Sequence, residues 1–272
     1  MSGPTPRRDT RGIVDAPALM RHARFRRHAP AEPLRHWIEH YWLIDWDLPE
    51  PYVSHVVPHP SVNVVFQLLG DGVPFGEVAG VGLGLFRKEL AGRGRVCGVQ
   101  FRPGGFRPFT PGLAVTELTG RHVPLKNAFA GALVPRDVAR DVTGPDDEHA
   151  RVAALDRFLL GLAPEPDPQA DLAMSLVDRV RTDRAVRRVS DLARTEGVSV
   201  RALQRLFSLY VGVGPKWVIL RYRIHEALER AETQTAVDWA GLAADLGYAD
   251  QAHLVRDFTA TVGVPPTAYA PR

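Results

Sequence analysis

The chain has 272 residues, of which 45% are hydrophobic and 24% are charged, a composition typical of a folded protein large enough for two domains. No run of about 18 apolar residues occurs, and the polar N-terminus lacks the apolar core of a secretory signal, so the sequence favours a cytoplasmic protein without a membrane span. A single cysteine, Cys97, excludes an internal disulfide and a zinc site built from several cysteines.

The net charge of +3 is too small to indicate a nucleic-acid partner, but the charge is unevenly distributed. Residues 179–223 contain ten Arg and one Lys against three acidic residues, which gives +8. Residues 224–272 contain three Arg against seven acidic residues, which gives −4. A locally basic segment is typical of a surface that faces phosphate groups. A solvated charged face is the alternative when charge is considered alone.

The first part of the chain predicts a leader followed by a sheet. Residues 1–20 are rich in Gly, Pro and Arg, and we expect them to be disordered. From Phe25 to Phe101 β-branched and aromatic residues predict short strands in an antiparallel sheet or barrel. The candidate strands are 61–68, 77–81 and 95–101, and candidate helices follow at 123–129, 135–142 and 146–162.

Three prolines within residues 164–168 interrupt the helical pattern. We therefore expect an N-terminal domain over 21–163, a linker over 164–170 and an all-α domain over 171–272. The predicted fold class is α+β, with a mainly antiparallel β domain that also carries helices, followed by the helical domain.

An internal repeat is the strongest feature of the helical part. Leu192-Ala193-x3-Gly197 recurs fifty residues later as Leu242-Ala243-x3-Gly247. Seven further identities follow at a shift of 51, and they begin at Leu203, Arg205, Phe207, Val211, Gly212, Val213 and Pro215. The one-residue insertion falls after the glycine, where a turn is expected.

Each copy has the pattern of a helix-turn-helix unit. The small alanine lets two helices approach, and the glycine permits a turn with positive φ. Ser199 and Asp250 are suitable N-caps for the second helix of each copy. That helix buries one pair of apolar residues in each copy, namely Leu203 with Phe207 and Leu254 with Phe258.

The outward face of each second helix carries the candidate DNA contacts. Arg and Gln suit this role because both can form paired hydrogen bonds to guanine or adenine edges in the major groove. The candidates are Ser199, Arg201, Gln204 and Arg205 in the first copy, and Gln251, His253 and Arg256 in the second. An αα-hairpin packed against another protein is the alternative, which the duplication and the basic segment argue against.

Apolar residues at helical spacing predict one amphipathic helix from Lys216 to about Glu232, between the two copies. About 16 residues would form a rod of roughly 24 Å. A helix of this length could hold the second helices of the two copies in adjacent major grooves of DNA.

Residues 186–270 resemble the DNA-binding domain of AraC/XylS-type transcription regulators. The segment LARTEGVSVRALQRLF at 192–207 resembles the first helix-turn-helix of that family, and 242–269, with its closing Tyr, resembles the second. The resemblance implies a seven-helix domain that binds duplex DNA with both motifs. By position it implies groove-facing roles for Arg201, Gln204 and Arg205, and for Gln251, Ala252 and Arg256.

Ala252 has no polar group, and the second half is acidic, so we expect the first copy to supply most of the base discrimination and the second to supply positioning. Residues 34–125 also resemble an N-terminal domain of some of these regulators. In better-understood relatives the N-terminal domain is a cupin-like β-barrel that binds an effector or forms a dimer. The partners implied are double-stranded DNA, a small-molecule effector and a second copy of the chain.

We expect no metal, cofactor or catalytic residue. His55 and His59 have a spacing that suits metal ligation only in a helix, which Pro58 and Pro60 oppose. Cys97 lies among apolar residues and is expected to be an inert buried thiol. Two alternatives to a DNA-binding regulator remain, a protein-interaction scaffold and an enzyme that uses Cys97.

Overall fold

The computed structural model describes residues 12–233 and 237–269. The N-terminal half is built on a seven-stranded antiparallel sheet. Its strands are β1 Ile13–Val14, β2 Arg24–His28, β3 Ile38–Val56, β4 Asn63–Leu69, β5 Phe75–Ala79, β6 Phe86–Phe101 and β7 His122–Pro124. They pair in the order β1-β3-β6-β4-β5-β7, with β2 also paired to β3. The predicted antiparallel β domain is confirmed. No strand pair within the described residues joins the two edges, so strand pairing does not close the sheet into a cupin-like barrel.

Four helices belong to the N-terminal half and seven to the C-terminal half, counted over the described ranges. The first four are α1 Ala16–His22, α2 Leu125–Ala128, α3 Val138–Thr143 and α4 Glu148–Gly161. The other seven are α5 Pro168–Thr182, α6 Val189–Thr195, α7 Val200–Tyr210, α8 Pro215–Thr233, α9 Trp239–Asp245, α10 Gln251–Val262 and α11 Pro266–Tyr269. The all-α C-terminal half is confirmed, but only six of its seven helices lie within residues 186–270, where the resemblance implies seven, because α5 precedes that range. Within these ranges no helix is long and apolar enough to cross a bilayer.

One face of the sheet forms the main core of the N-terminal half. Phe66 of β4 meets Phe158 of α4 edge to face, with ring centroids 5.5 Å apart, and Cys97 of β6 is fully buried in the same cluster. On the other face Trp42 and Trp46 of β3 lie over the glycines that pair with them, Gly98 and Gly94. A Cβ atom at Gly98 would lie 1.9 Å from the Trp42 ring, so only glycine fits at this position.

The predicted leader is wrong where the structure describes it. Residues 1–11 lie outside the described range, but residues 13–22 form β1 and α1. The helix forms because the Asp15 carboxylate accepts a hydrogen bond from the Ala18 amide at 3.1 Å, and Pro17 occupies the first turn, where its missing N–H costs nothing. Leu19 anchors the helix with 2% of its surface exposed.

Two other predicted boundaries shift for similar reasons. Helix α5 begins at Pro168, so it starts within the expected 164–170 linker. A proline is tolerated there because it occupies the first turn of the helix. Asp167 caps that helix by accepting a hydrogen bond from the Gln169 amide at 2.9 Å. The helix expected at 123–129 is shortened to α2 because His122–Pro124 pairs with β5 as β7.

Candidate nucleic-acid interface

The first helix pair consists of α6 and α7, joined by a tight turn. Gly197 has φ of +65°, in the left-handed region that favours glycine, and the Val198 amide donates a hydrogen bond to the Ala193 carbonyl at 3.0 Å. The Ser199 hydroxyl oxygen then accepts a hydrogen bond from the Ala202 amide at 3.1 Å and caps α7. The turn and the cap that the sequence predicts are both confirmed.

The second pair, α9 and α10, repeats this geometry. Gly247 has φ of +73°, and the Tyr248 amide donates to the Ala243 carbonyl at 2.9 Å. The Asp250 carboxylate accepts a hydrogen bond from the His253 amide at 2.7 Å. The extra residue of the second copy lies in this turn, between Gly247 and the cap, as the repeat predicts.

The second helix of each pair has one buried and one exposed face. Leu203 and Phe207 are 1% and 0% exposed, and Leu254 and Phe258 are fully buried. The candidate contact residues on the opposite face are exposed, namely Arg201, Gln204 and Arg205 on α7, and Gln251, Ala252 and Arg256 on α10. The structure therefore brings each predicted set together on one helix face.

Two candidates are already engaged within the protein. The hydroxyl oxygen of Ser199 accepts the capping hydrogen bond, which leaves its O–H as the group available to DNA. His253 is half-buried: its Nε2 atom lies 3.7 Å from a carboxylate oxygen of Asp257, and its ring packs edge to face on Tyr248. This residue therefore lies at the border of the exposed face.

Ion pairs neutralise much of the basic segment but leave α7 charged. Arg179 pairs with Glu196 at 2.6 Å and Arg194 with Asp191 at 3.3 Å, and similar pairs engage Arg181 and Arg184. By contrast, no hydrogen bond or ion pair inside the described part of the chain engages the side chains of Arg201 or Arg205. Arg201 and Arg205 therefore leave positive charge on α7 that is available to a phosphate or a base edge.

Comparison with known families decides what this arrangement is. A family model described as a helix-turn-helix domain matches residues 192–272. Residues 192–272 form an AraC-type helix-turn-helix domain. Domains of this type bind DNA in transcription regulators, which assigns the chain to that broad class. A second model, described as a domain of unknown function (DUF6597), matches residues 26–124.

The chain also matches solved structures of ToxT from Vibrio cholerae at low sequence identity. An apo variant from strain SCE256 is 14% identical, with 85% of this chain and 96% of the ToxT chain covered and a TM-score of 0.39. ToxT from strain O395 is 12% identical, with coverage of 84% and 95% and a TM-score of 0.40. Wild-type ToxT with a bound unsaturated fatty acid is 13% identical, with coverage of 84% and 93% and a TM-score of 0.40. No curated protein matches the sequence.

Helix α8 joins the two motifs of the AraC-type domain. Its 19 residues span about 28 Å and begin one residue before the predicted start. Val218 and Ile219 belong to the core of the first motif, whereas Ile224 and Leu228 belong to the core of the second. One rod therefore contributes to both cores and fixes the motifs relative to each other.

The N-terminal half contacts the AraC-type domain at equivalent places in both motifs. The Thr119 hydroxyl donates a hydrogen bond of 2.7 Å to the carbonyl of Gly212, which follows α7. The repeat counterpart of Gly212 is Gly263, which caps α10, and a Cβ atom there would lie 3.2 Å from Leu85. Between them, Arg221 of α8 donates to the Leu83 carbonyl at 2.9 Å.

Arg221 is a structural residue that the sequence reasoning counted only as positive charge. It is 5% exposed, its guanidinium lies 4.4 Å from the Trp217 ring centroid, and burial lowers its pKa to about 10. A signal was present, because Arg221 falls four residues after Trp217, on the apolar stripe of α8. An arginine in that position indicates a buried contact with another part of the protein.

The candidate sites of the N-terminal half have structural roles. His59 stacks on His225 of α8 with ring centroids 4.0 Å apart, and His55 lies in β3 opposite Arg87. Over residues 12–233 and 237–269 no group of three or more His, Cys, Asp or Glu residues could hold a metal ion. The Cys97 thiol is fully buried 3.7 Å from the Val142 carbonyl, and burial raises its pKa to about 11.

Proposed function

We propose that the protein is a sequence-specific regulator of transcription that reads DNA mainly through α7. The observation that carries this proposal is the exposed set Arg201, Gln204 and Arg205, which lies on one face of a capped, rigid helix with neither arginine engaged by an acid in the described ranges. Arg and Gln at these positions can form paired hydrogen bonds to guanine and adenine edges.

The second motif acts in this proposal as the positioning unit. Its exposed face has Gln251 and Arg256 but carries Ala252 at the position equivalent to Arg201. Alanine offers only an apolar contact, so fewer bases can be discriminated there. Helix α8 keeps this second unit at a fixed distance from the reader, which suits contacts to phosphate and to neighbouring bases.

Control by the N-terminal half is the second part of the proposal. Thr119 and Leu85 contact the loops that end α7 and α10, and Arg221 joins the sheet side to α8. An effector or a second copy of the chain that binds the N-terminal half would alter DNA affinity through these contacts, provided that it favours one arrangement of them over another.

A fluorescence-anisotropy titration tests the proposal. Duplexes from the genomic neighbourhood of the gene are titrated with the full chain at fixed salt, next to random duplexes of equal length. The proposal requires at least one fragment to bind about a hundredfold more tightly than random DNA, and equal binding of all fragments contradicts it. A protein-interaction scaffold predicts that Arg205→Ala leaves function intact, whereas a DNA reader predicts loss.

A further inference from the structure

A small polar pocket of about 70 Å³ lies between the sheet and helices α5 and α8. Arg27, His40 and Ser61 line it from the sheet side, and Asp178, Arg181 and Tyr222 line it from the helices of the C-terminal half. A group bound here would therefore contact both halves of the protein at once.

The pocket lies on the face of the sheet opposite the main core. Along β3, Tyr41 points into that core, so its neighbour His40 points the other way. Val62 likewise belongs to the core, whereas Ser61 lines the pocket. The site is thus separate from the interior of the β domain, which aromatic and aliphatic side chains fill.

Two buried polar atoms of this pocket have no hydrogen-bond partner in the described part of the protein. They are the hydroxyl oxygen of Ser61, a residue that is 3% exposed, and the Nε2 atom of His40. Native proteins seldom bury polar atoms without a partner, because each one costs free energy. Both residues line the same cavity, so one group bound there would lie close to both side chains.

The charges around the pocket favour an anion. Arg27, Arg102 and Arg181 line it together with two acids, Glu39 and Asp178. Asp178 is shared, since it accepts hydrogen bonds from Arg102 at 2.7 Å and Arg181 at 2.9 Å. Three guanidinium groups against two carboxylates leave an excess of one positive charge.

His40 adds a neutral hydrogen-bonding group to this positive surrounding. Burial, followed by the charges of Arg27 and His59, lowers the pKa of His40 to about 3. The imidazole is therefore neutral at physiological pH, and a neutral ring can donate one hydrogen bond. The cavity is small, about 70 Å³, and this size favours a compact guest.

We propose that this pocket binds a compact oxyanion, a carboxylate or a phosphate group, held by Ser61 and His40 within the net positive charge of the three arginines over the two acids. The inference rests on the proposed function, because it names the class of effector that acts on the DNA-binding half. The bound anion contacts Arg181 of α5 and lies beside Tyr222 of α8, so it stabilises the packing of the sheet against the rod that joins both motifs.

Calorimetric titration of the full chain with sodium phosphate and with sodium acetate, at ionic strength held constant with chloride, tests the site. At least one anion should bind at a single saturable site and raise the melting temperature. Ser61→Ala should weaken binding about tenfold, since it removes a hydrogen bond to a charged group, and it should fold normally because the Ser61 hydroxyl oxygen has no described partner. Ser175→Ala, an exposed change on α5, is the matched control and should bind like the wild type.

Two results overturn the inference. One is the absence of saturable binding of either anion at about 10 mM, where millimolar affinity is detected. The other is equal binding by Ser61→Ala, which would locate the anion on the basic DNA-binding surface. Arg205→Ala separates this proposal from the proposed function, because it should lose DNA affinity and keep anion affinity. Anion binding that leaves DNA affinity unchanged within twofold contradicts the effector role, while DNA reading by α7 would stand.

Discussion

The Thr119 hydroxyl donates a 2.7 Å hydrogen bond to the Gly212 carbonyl, and this bond joins the N-terminal half to the end of α7. The repeat counterpart, Gly263, lies against Leu85 of the same half. Because the N-terminal half reaches the equivalent loop of both motifs, the relative position of α7 and α10 depends on it as well as on α8. A change at one of these contacts is therefore a direct test of how the halves are coupled.

Thr119→Val removes this hydrogen bond while keeping the shape of the side chain. We expect the free energy of unfolding to fall by about 1 kcal/mol, because the carbonyl of Gly212 loses its partner. Urea denaturation of the full chain measures the change. Thr116→Val is the control, since Thr116 is exposed and its stability effect should be small. Equal midpoints for all three proteins would show that the contact contributes nothing.

The two motifs should respond unequally to loss of an equivalent arginine. Arg205→Ala should weaken binding to the operator roughly tenfold to a hundredfold, which corresponds to the loss of a paired contact to a base. Arg256→Ala should weaken it less and should reduce affinity for all sequences alike, as loss of a positioning contact does. Anisotropy titrations of both variants against operator and random duplex measure the difference. A larger loss from Arg256→Ala would refute the division of roles.

The features that the sequence predicts well are local ones. The caps Ser199 and Asp250 and the turn glycines Gly197 and Gly247 act on residues within five positions of themselves, and the duplication shows each pattern twice. Helix α8 was predictable because its apolar residues repeat at the helical period. The sequence thus placed Arg201, Gln204 and Arg205 on one exposed face of a helix, and their contact with DNA stays a prediction.

The features that it missed depend on distant partners. Helix α1 has a local cap at Asp15, but the contact that holds it, the packing of Leu19 beneath the sheet, joins residues that are far apart in the chain. The pocket at Ser61 and His40 unites residues from three strands, two loops and two helices, so no short pattern reveals it. Thr119 and Gly212, which are joined by a hydrogen bond, lie 93 positions apart in the chain.

The caps themselves can be tested separately from DNA contact. Ser199→Ala should destabilise the protein by about 1 kcal/mol, because the Ala202 amide loses its acceptor, and Ser199→Asp should restore most of that stability. Asp250→Ala should have a similar effect through the amide of His253. Thermal unfolding followed by circular dichroism measures each change. If Ser199→Asp is no more stable than Ser199→Ala, the capping role assigned to Ser199 is incorrect.

Cys97 should not react in the native protein. Its side chain is fully buried and burial raises its pKa to about 11, so almost no thiolate exists at neutral pH. Labelling with a chromogenic disulfide should proceed only as fast as the protein opens, and it should be complete within minutes in strong denaturant. Stoichiometric labelling of the folded chain within minutes would instead reopen a redox or nucleophilic role for this thiol.

The buried ion pair between Arg151 and Asp45 predicts that the stability of the protein is sensitive to acid. Arg151 is 2% exposed and its guanidinium donates to the Asp45 carboxylate at 3.0 Å, while Arg95 donates to the same group at 2.7 Å. Burial alone would raise the pKa of Asp45, but hydrogen bonds from Arg26 and Arg95 and the charge of Arg151 outweigh burial and hold that pKa below its ordinary value.

A carboxylate whose pKa is lower in the folded than in the unfolded chain stabilises the fold above its unfolded pKa of about 3.9, and this contribution disappears as pH falls through the folded value. We therefore expect the free energy of unfolding to decrease below about pH 5. Asp45→Asn should lower it by about 3 kcal/mol at pH 7, because Arg151 stays buried without its counter-charge, and should flatten its acid dependence. Urea titrations from pH 7 to pH 3 measure both effects.

Asp137→Asn is the control, because it removes an exposed ion pair with Arg140 and should leave the pH profile of stability unchanged. If the stability of Asp45→Asn falls as steeply with acid as that of the wild type, the sensitivity belongs to other groups.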